Sequence, residues 1–504
     1  MDNRITEIVI VGGGTAGWMS AAALARVIGT TSCAITLVES EEIGTIGVGE
    51  ATIPPIALFN KLLGIDEDEF VRETQGTFKL GIEFVDWKRL GERYLHSFGL
   101  FGVDMNGISF THYWLRAMKQ GAAGDRDLFN AEAEAAHLGK FARTPPNAPP
   151  SLPRVNYAFQ FDASLYAAYL RRYAEARGVV RTEGRIVSVR RDPESGLIAS
   201  VELDGGNRIG GQFFIDCSGF RGLLIEETFA AGYDDWSRWL PCNRAFAMPT
   251  SNVGRLAPYT RATAHEAGWQ WRIPLQHRTG NGYVFSDGFV AEDEARQQLI
   301  GRVEGEPLAE PRLLKFVAGR RKSSWVGNCL AIGLAGGFLE PLESTSIHLV
   351  QAALAKLLAF FPQRHMDQAL IARFNSEMNG LYDGIRDFLI AHYKLTERED
   401  SAFWRYCKAM EVPDSLRARL ELFRSRGEVM PGGQELFREV NWFSILHGQG
   451  LVPEDYHPVA DALSAEELAS RLSQIRAGVK ARVDTMPSHD DYIAYCCASP
   501  RAAR

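Results

Sequence analysis

A chain of 504 residues with a formal net charge of −7 exceeds one ordinary core and offers no basic field for nucleic acid, so a cofactor domain with inserted or appended elements is the expected plan. No run approaches the ~18 uninterrupted apolar residues that mark a membrane span. Met1 to Thr6 lead directly into a strand without the segments of a signal peptide, and seven cysteines with no metal-ligand spacing suit a reducing compartment, so a cytoplasmic protein without a metal site is expected.

In chain order, the first signal is Ile8-Val-Ile-Val11, an apolar strand running into Gly12-Gly13-Gly14-Thr15-Ala16-Gly17. Such a run ends the strand in a tight turn at Gly12, lets backbone approach a pyrophosphate at Gly14, and lets a helix pack closely at Gly17. The first turn of that helix then turns unpaired N–H groups towards phosphate. An Ala-rich helix over Trp18 to Ile28 and a strand over Ala34 to Val38 follow. The strand closes on Glu39, 22 residues beyond Gly17, which suits both hydroxyls of an adenosine ribose rather than a 2′-phosphate. Glycine turns also arise for structural reasons alone. With strand, helix and terminal Glu together, a nucleotide site is expected, for NAD or FAD.

Ile43 to Pro55 alternates glycines with small or apolar residues before a proline stop, a backbone that lies against something. Lys79 sits in Gly76-Thr-Phe-Lys-Leu-Gly81, and the plain reading is an exposed helix lysine. Residues 139–156 and 251–265 read as irregular connections. Tyr166 to Gly178 reads as a helix with a glycine cap. Gly184–Arg190, Leu197–Leu203 and Gln212–Ile215 read as a small antiparallel layer, after which Asp216 to Gly222 returns the chain to the cofactor sheet. Asn328 onward gives a strand and a glycine turn, and Pro341-Leu-Glu343-Ser-Thr-Ser346 opens a helix near Ile347. This second anion-friendly helix start shifts the expected cofactor to FAD. Helices are expected over Ala352–Phe361, His365–Tyr382, Ile385–Tyr393, Ser401–Ala409, Pro413–Ser425 and Ala462–Arg482. The expected fold is α/β, a Rossmann-type FAD-binding domain of the two-dinucleotide-binding flavoprotein kind, with inserted strands and a largely helical C-terminal substrate region. Its expected divisions are 1–95 and 161–350 for the FAD-binding domain, 96–160 for a substrate-side insertion, and 351–504 for the helical region.

Four features in order carry a resemblance: Gly12 to Gly17 followed by Trp18, Lys79, Trp269-Gln-Trp271-Arg-Ile273-Pro274, and Pro341-Leu-Glu343-Ser-Thr-Ser346. From Ile8 to about Trp442 the chain resembles the flavin-dependent tryptophan halogenase family. Trp-x-Trp-x-Ile-Pro is the specific motif, since Rossmann-type flavin monooxygenases share the glycines but not this insertion. The resemblance implies that FADH2 from a separate flavin reductase reacts with O2 to give a flavin hydroperoxide, which a halide attacks to produce hypohalous acid. A tunnel then leads the oxidant to a second pocket. There Lys79 hydrogen-bonds it or forms a haloamine, and a cationic donor in a partly dry site polarises the halogen more strongly than it could in water.

The resemblance makes Glu343 the matching carboxylate, accepting the ring proton or orienting the oxidant, where a plain reading would make it a helix N-terminal carboxylate. It makes Thr345 and Ser346 the halide contacts. Cofactor contacts fall on Gly12, Gly13, Gly14, Thr15, Ala16, Gly17, Glu39, Val48, Gly49, Ala51, Val187, Leu334 and Ile347. His96 and Phe98 match aromatic-pocket residues, and Trp442 an opposite wall. Trp269 and Trp271 match a wall that keeps organic substrate from the flavin, although alternating core aromatics of a strand would read the same.

Two departures bear on scope. The usual glycine of the halide pair is Ser346 here, which puts a β-carbon into a small pocket and favours bromide over chloride. No adjacent Tyr-Tyr occurs to clamp free tryptophan; the corresponding region reads Arg438 to Gly450. An indole, or another electron-rich aromatic compound, is therefore the expected substrate. The resemblance also allows a homodimer. Alternatives are a single-component flavin aromatic monooxygenase, against which only one complete Gly-x-Gly-x-x-Gly unit stands at a strand end, and a non-catalytic flavin-binding protein, which would need neither Lys79 nor Glu343.

Overall fold

The computed structural model describes residues 3–42, 49–145, 147–149, 153–430, 432 and 435–500. Its contacts divide the chain into two units, one built from Met1–Gly76, Phe161–Ser237 and Lys315–Asp383, the other from Thr77–Gln160, Arg238–Leu314 and Gly384–Arg504. No helix among the described residues is long and apolar enough to cross a membrane.

In the first unit, Ile8, Val9, Ile10 and Val11 are all buried in the strand Glu7–Val11, as a β-branched run is in a sheet covered on both faces. That strand pairs in parallel with Ala34–Glu39 on one side and Phe213–Asp216 on the other. Val180–Glu183 and Cys329–Ala331 extend the sheet in parallel, and Trp325–Val326 closes one edge antiparallel. Strand order thus reverses at Glu7–Val11, whose carboxyl end is a topological switch point where open α/β sheets bind ligands. Helix Thr15–Val27 packs against Ala163–Glu175 and Ser346–Ala359.

A three-stranded antiparallel sheet, Ile186–Arg191, Ile198–Leu203 and Arg208–Gly210, packs on the parallel one through Ile198, Val201, Leu203, Val9, Val11 and Phe214. Each such side chain contributes about 1.5–3 kcal/mol by leaving water. Here the sequence reading is corrected: the third strand of the small layer is Arg208–Gly210, while Phe213–Asp216 already belongs to the parallel sheet. Phe213, Phe214 and Ile215 form a continuous apolar run, which needs burial on both faces; the short polar strand 208–210 serves as an edge.

The second unit centres on seven strands in the order Arg312–Lys315, Arg244–Thr250, Thr279–Phe285, Gly268–Pro274, Thr260–His265, Gly81–Val85 and Arg93–Ser97. Thr260–His265 lies inside the stretch expected to be irregular. It alternates buried and half-buried residues, but its inward positions are Thr and Ala, too small to signal a strand. It pairs antiparallel with the Trp269 strand and parallel with Gly81–Val85. Helix Glu439–Gly448 packs on Arg93–Ser97.

The C-terminal third is helical, as expected. One helix, Gln368–Lys394, replaces the two expected over 365–393. A helix-interior glycine costs about 1 kcal/mol, and burial of Tyr382, Ile385 and Phe388 around Gly384 offsets it. Glu439–Gly448 and His489–Cys496 are helices that the periodicity did not reveal, both short.

Candidate active site

At the switch point of the first unit, Gly12 has φ +108°, and a β-carbon there would stand 2.3 Å from the carbonyl oxygen of Cys217. A β-carbon at Gly17 would stand 1.8 Å from the Gly12 oxygen, so the helix packs on its own turn only as glycine. Gly14 is the N-cap of Thr15–Val27, has no side-chain cap, and has open space around it. The first-turn N–H groups therefore await an acceptor from outside. Glu39 folds its carboxylate over Gly13 and accepts from Arg181 Nε at 2.5 Å. Thr15 and Ala16 are half-buried in this turn. These features fit a dinucleotide: an open, uncapped helix start for the pyrophosphate and a carboxylate beside it for ribose hydroxyls.

The other expected cofactor residues are placed as follows. Gly49 and Ala51 are buried in the strand Gly49–Ala51, and burial of Glu50 between them pushes its carboxyl up to about 7. Val48 lies outside the described residues. Leu334 is half-buried in the turn Gly333–Ala335. A β-carbon on Gly333 would stand 2.7 Å from Ala16 and 3.7 Å from Val350, so this turn lies between the starts of the two helices Thr15–Val27 and Ser346–Ala359. Ile347 is buried in the first turn of the latter. Val187 is more than half exposed on the edge strand Ile186–Arg191.

Glu343 ends a 3₁₀ turn, Pro341–Glu343, with no exposed surface. It precedes the helix rather than occupying its first turn, unlike a plain N-terminal carboxylate. Ser344 is left-handed at φ 57°, and Thr345 returns to the right-handed region as N-cap of Ser346–Ala359. Ser344 N–H closes the turn on the Pro341 carbonyl at 3.1 Å. The alternation turns the N–H groups that follow, of Thr345 and Ser346, into an arrangement suited to an anion, and a non-glycine residue there stores strain typical of functional sites. The fully buried Thr345 hydroxyl has no hydrogen-bond partner among the described residues. Ser346 is half-buried. His348, one residue past Ile347, is pulled down to about 4 by burial.

Asp216 organises the backbone of the segment that follows it, from Ser218 to Ile225. Ser218 donates to its Oδ1 from N at 3.0 Å and from Oγ at 2.6 Å, while Leu224 and Ile225 N–H groups donate to Oδ2 at 2.8 and 2.9 Å. It thereby shapes the loop against which Gly12 lies. The Asp-x-Ser spacing of an Asx turn was the available signal.

Lys79 belongs to the second unit. It ends the strand Thr77–Lys79, pairs with Ala158, and has no exposed surface. The exposed-helix reading is therefore excluded. Its Nζ stands 5.4 Å from the centroid of the Phe98 ring, which is half-buried. A fully buried lysine beside an aromatic ring is a candidate for chemistry rather than for solubility.

His96, on Arg93–Ser97, receives a hydrogen bond from Asn441 Nδ2 at 3.0 Å and lies 5.6 Å from Phe388 and 6.3 Å from Phe437, centroid to centroid. Asn441 Oδ1 is occupied by Arg438 N–H, which leaves Nδ2 for the imidazole and makes His96 Nε2 the acceptor. Asn441, Phe388 and Phe437 went unassigned in the sequence; Asn441 and Phe437 lie beside Trp442 in the chain, whereas Phe388, 54 positions before it, carried no such signal.

Trp269 and Trp271 share one face of Gly268–Pro274 and are both buried. Trp269 meets Trp87 at 6.2 Å, and the ring of Trp271 lies over its cross-strand neighbour Gly282. They form part of the aromatic core of this unit. Trp442 is fully buried, with the Arg419 guanidinium 4.2 Å over its ring and Phe388 edge-on at 4.8 Å. Among the described residues no His, Cys, Asp and Glu cluster could hold a metal ion.

The family model of tryptophan halogenase matches residues 7–465. A tryptophan 7-halogenase from Lentzea aerocolonigenes is 35% identical, covering 98% of this chain and 99% of the relative. The solved structure of a flavin-dependent halogenase from Xanthomonas campestris superposes with a TM-score of 0.96 at 48% identity, covering 99% of this chain and 100% of the other. That of a flavin-dependent halogenase from Brevundimonas sp. BAL3 gives 0.95 at 44% identity over 99% and 100%.

Proposed function

Because this chain belongs to the tryptophan halogenase family and is a flavin-dependent halogenase, we propose that it halogenates an electron-rich aromatic compound, an indole lacking the amino-acid moiety, with FADH2 from a separate reductase, O2 and bromide in preference to chloride. The single observation that carries the reading is Lys79, fully buried yet beside the Phe98 ring. The turn at Gly12 to Gly17 and Glu39 would hold the adenosine diphosphate half of FAD. Reduced FAD with O2 supplies the oxidising equivalent that turns halide into hypohalous acid.

The chain's own residues do the rest. Backbone N–H groups of Thr345 and Ser346 hold the halide. Lys79 donates to the oxygen of the hypohalous acid, or forms a haloamine with it as water leaves, and raises the electrophilicity of the halogen. Glu343 accepts the ring proton once halogen has added. Glu343→Gln is expected to lower product formation roughly 10–10³-fold while FAD affinity stays unchanged. Unaltered turnover in that variant, read by mass spectrometry, would remove Glu343 from the chemistry.

Substrate scope rests on the missing Tyr-Tyr pair and on a platform, Phe98, that orients rings by apolar area, which is less directional than paired charges. Indole and tryptophan supplied together with limiting oxidant are expected to give mainly halogenated indole, and more product with bromide than with chloride. Predominant ring-halogenated tryptophan would overturn the substrate proposal; equal bromide and chloride turnover would overturn the inference from Ser346. Rapid NADPH oxidation by the purified chain alone would instead favour a single-component monooxygenase.

A further inference from the structure

The strand that carries Lys79 is three residues long, Thr77–Lys79, and so short a strand does not hold its own register. Beyond its ladder to Ala158–Asp162, several bonds fasten it. Thr77 Oγ1 donates to the Pro274 carbonyl at 2.7 Å and accepts from Gln160 Nε2 at 3.0 Å. Gln160 Oε1 in turn accepts from Thr260 Oγ1 at 3.1 Å, and Leu80 N–H donates to Pro258 at 2.7 Å. The remaining fastening comes from the far end of the chain.

Phe78 N–H donates to Nε2 of His489 at 3.1 Å. His489 has no exposed surface and opens the helix His489–Cys496. Its Nδ1 stands 2.9 Å from the Leu256 carbonyl oxygen. A carbonyl can only accept, so Nδ1 carries the ring proton and Nε2 offers its lone pair to Phe78. Both ring nitrogens are thus in use, and the tautomer is set from two sides. Burial pulls the imidazole down to about 4, which keeps it in this neutral form near pH 7.

The same helix also holds the Phe78 ring. Phe78 stacks on Phe141 at 4.2 Å and meets Tyr492 edge-on at 5.5 Å. The helix is tied down by His489 N–H donating to Gly139 at 2.9 Å and by Phe141 N–H donating to Pro487 at 3.3 Å. Successive side chains of a strand point to opposite faces. Fixing the amide and the ring of Phe78 therefore fixes the direction in which Lys79 leaves the strand.

We propose that His489 is a positioning residue for Lys79: its neutral imidazole, reaching from the C-terminal helix to the Phe78 amide, aims the lysine at the reacting halogen. The proposal rests on the reading of Lys79 as the halogen-activating group. His489→Met replaces the ring acceptor by a thioether, a weak acceptor, and keeps the bulk. It is expected to lower product formed per reduced flavin oxidised about tenfold, with flavin affinity and the rate of flavin oxidation unchanged. His489→Gln, whose Oε1 can accept from Phe78, is expected to keep at least about half of the wild-type ratio. A merely structural role would lower the melting temperature of both variants and leave product per flavin oxidised unchanged, which overturns the proposal.

Lys79→Ala run in parallel separates the two readings. Normal product from Lys79→Ala would sink the lysine reading itself, whereas an inactive Lys79→Ala beside a fully active His489→Met sinks only the role of His489. Should His489→Met fail to fold, His489→Gln and hydrogen exchange at the Phe78 amide carry the test. Protection of that amide and product per flavin are expected to move together, and either one changing without the other overturns the proposal.

Discussion

Lys79→Ala should yield no detectable halogenated product while reduced flavin is still oxidised at the wild-type rate. The lysine has no exposed surface, ends a strand, and stands over the Phe98 ring, so truncating it removes a cationic donor and leaves the backbone ladder to Ala158 in place. An ammonium about 4 Å from a developing charge is worth about 4 kcal/mol at an effective dielectric of 20, and a drier site raises that figure. A loss of at least about 10³-fold in product is the expected outcome. Mass spectrometry of product alongside stopped-flow oxidation of FADH2 separates the two steps, with thermal melting as the control for folding. Product formed at the wild-type rate would end the assignment.

Acidification from pH 7 to pH 5 should lower the stability of the protein steeply. Burial is the first cause that holds four imidazoles below their ordinary value: His265, His348 and His489 at about 4 and His447 at about 3. Arg302 beside His265 and Arg126 beside His447 push the same way. Neutral in the fold, these groups take up protons through about pH 6.5 once the chain unfolds. Their contribution is fully present above that value and is lost as pH falls towards their folded values.

Glu50 opposes them. Its folded value of about 7 lies above the ordinary 4.5, so its contribution is present below 4.5 and is lost as pH rises to 7. Each group contributes a slope of at most about 1.4 kcal/mol per pH unit. Glu132 and Glu439, raised by burial, and His137, raised by its hydrogen bond to Asp127, act in the same sense as Glu50, while His112, lowered by burial, joins the four strongly lowered imidazoles, which set the sign. With a total stability of about 5–15 kcal/mol, denaturant midpoints should fall sharply between pH 6.5 and 5. His489→Gln should flatten that fall by removing one of the four groups. A midpoint independent of pH across this range would show that the imidazoles are not held neutral.

Local chemistry made much of the protein readable from the chain alone. Gly12, Gly17 and Glu39 belong to one strand–turn–helix–strand unit whose backbone demands hold wherever it is placed, and the structure meets them with a positive φ at Gly12 and a contact that excludes a β-carbon at Gly17. Trp269 and Trp271 show their strand by alternation, and Pro341 to Ser346 shows a helix start by its composition. The halogenase family followed from these motifs, because each is a short run whose meaning depends on its immediate neighbours.

Tertiary contacts decided the rest. The burial of Lys79, the tautomer of His96 set by Asn441, and the merging of two expected helices across Gly384 all depend on residues remote in the chain. The small residues of Thr260–His265 carry no strand signal until Gly81–Val85 and Gly268–Pro274 flank them. Phe78 and His489 are 411 positions apart, and nothing in either stretch announces the other. Periodicity and turn chemistry report what the backbone does over a few residues; which distant side chain supplies the missing acceptor is decided by the requirement that buried polar groups be paired, and that requirement acts only once the chain has folded.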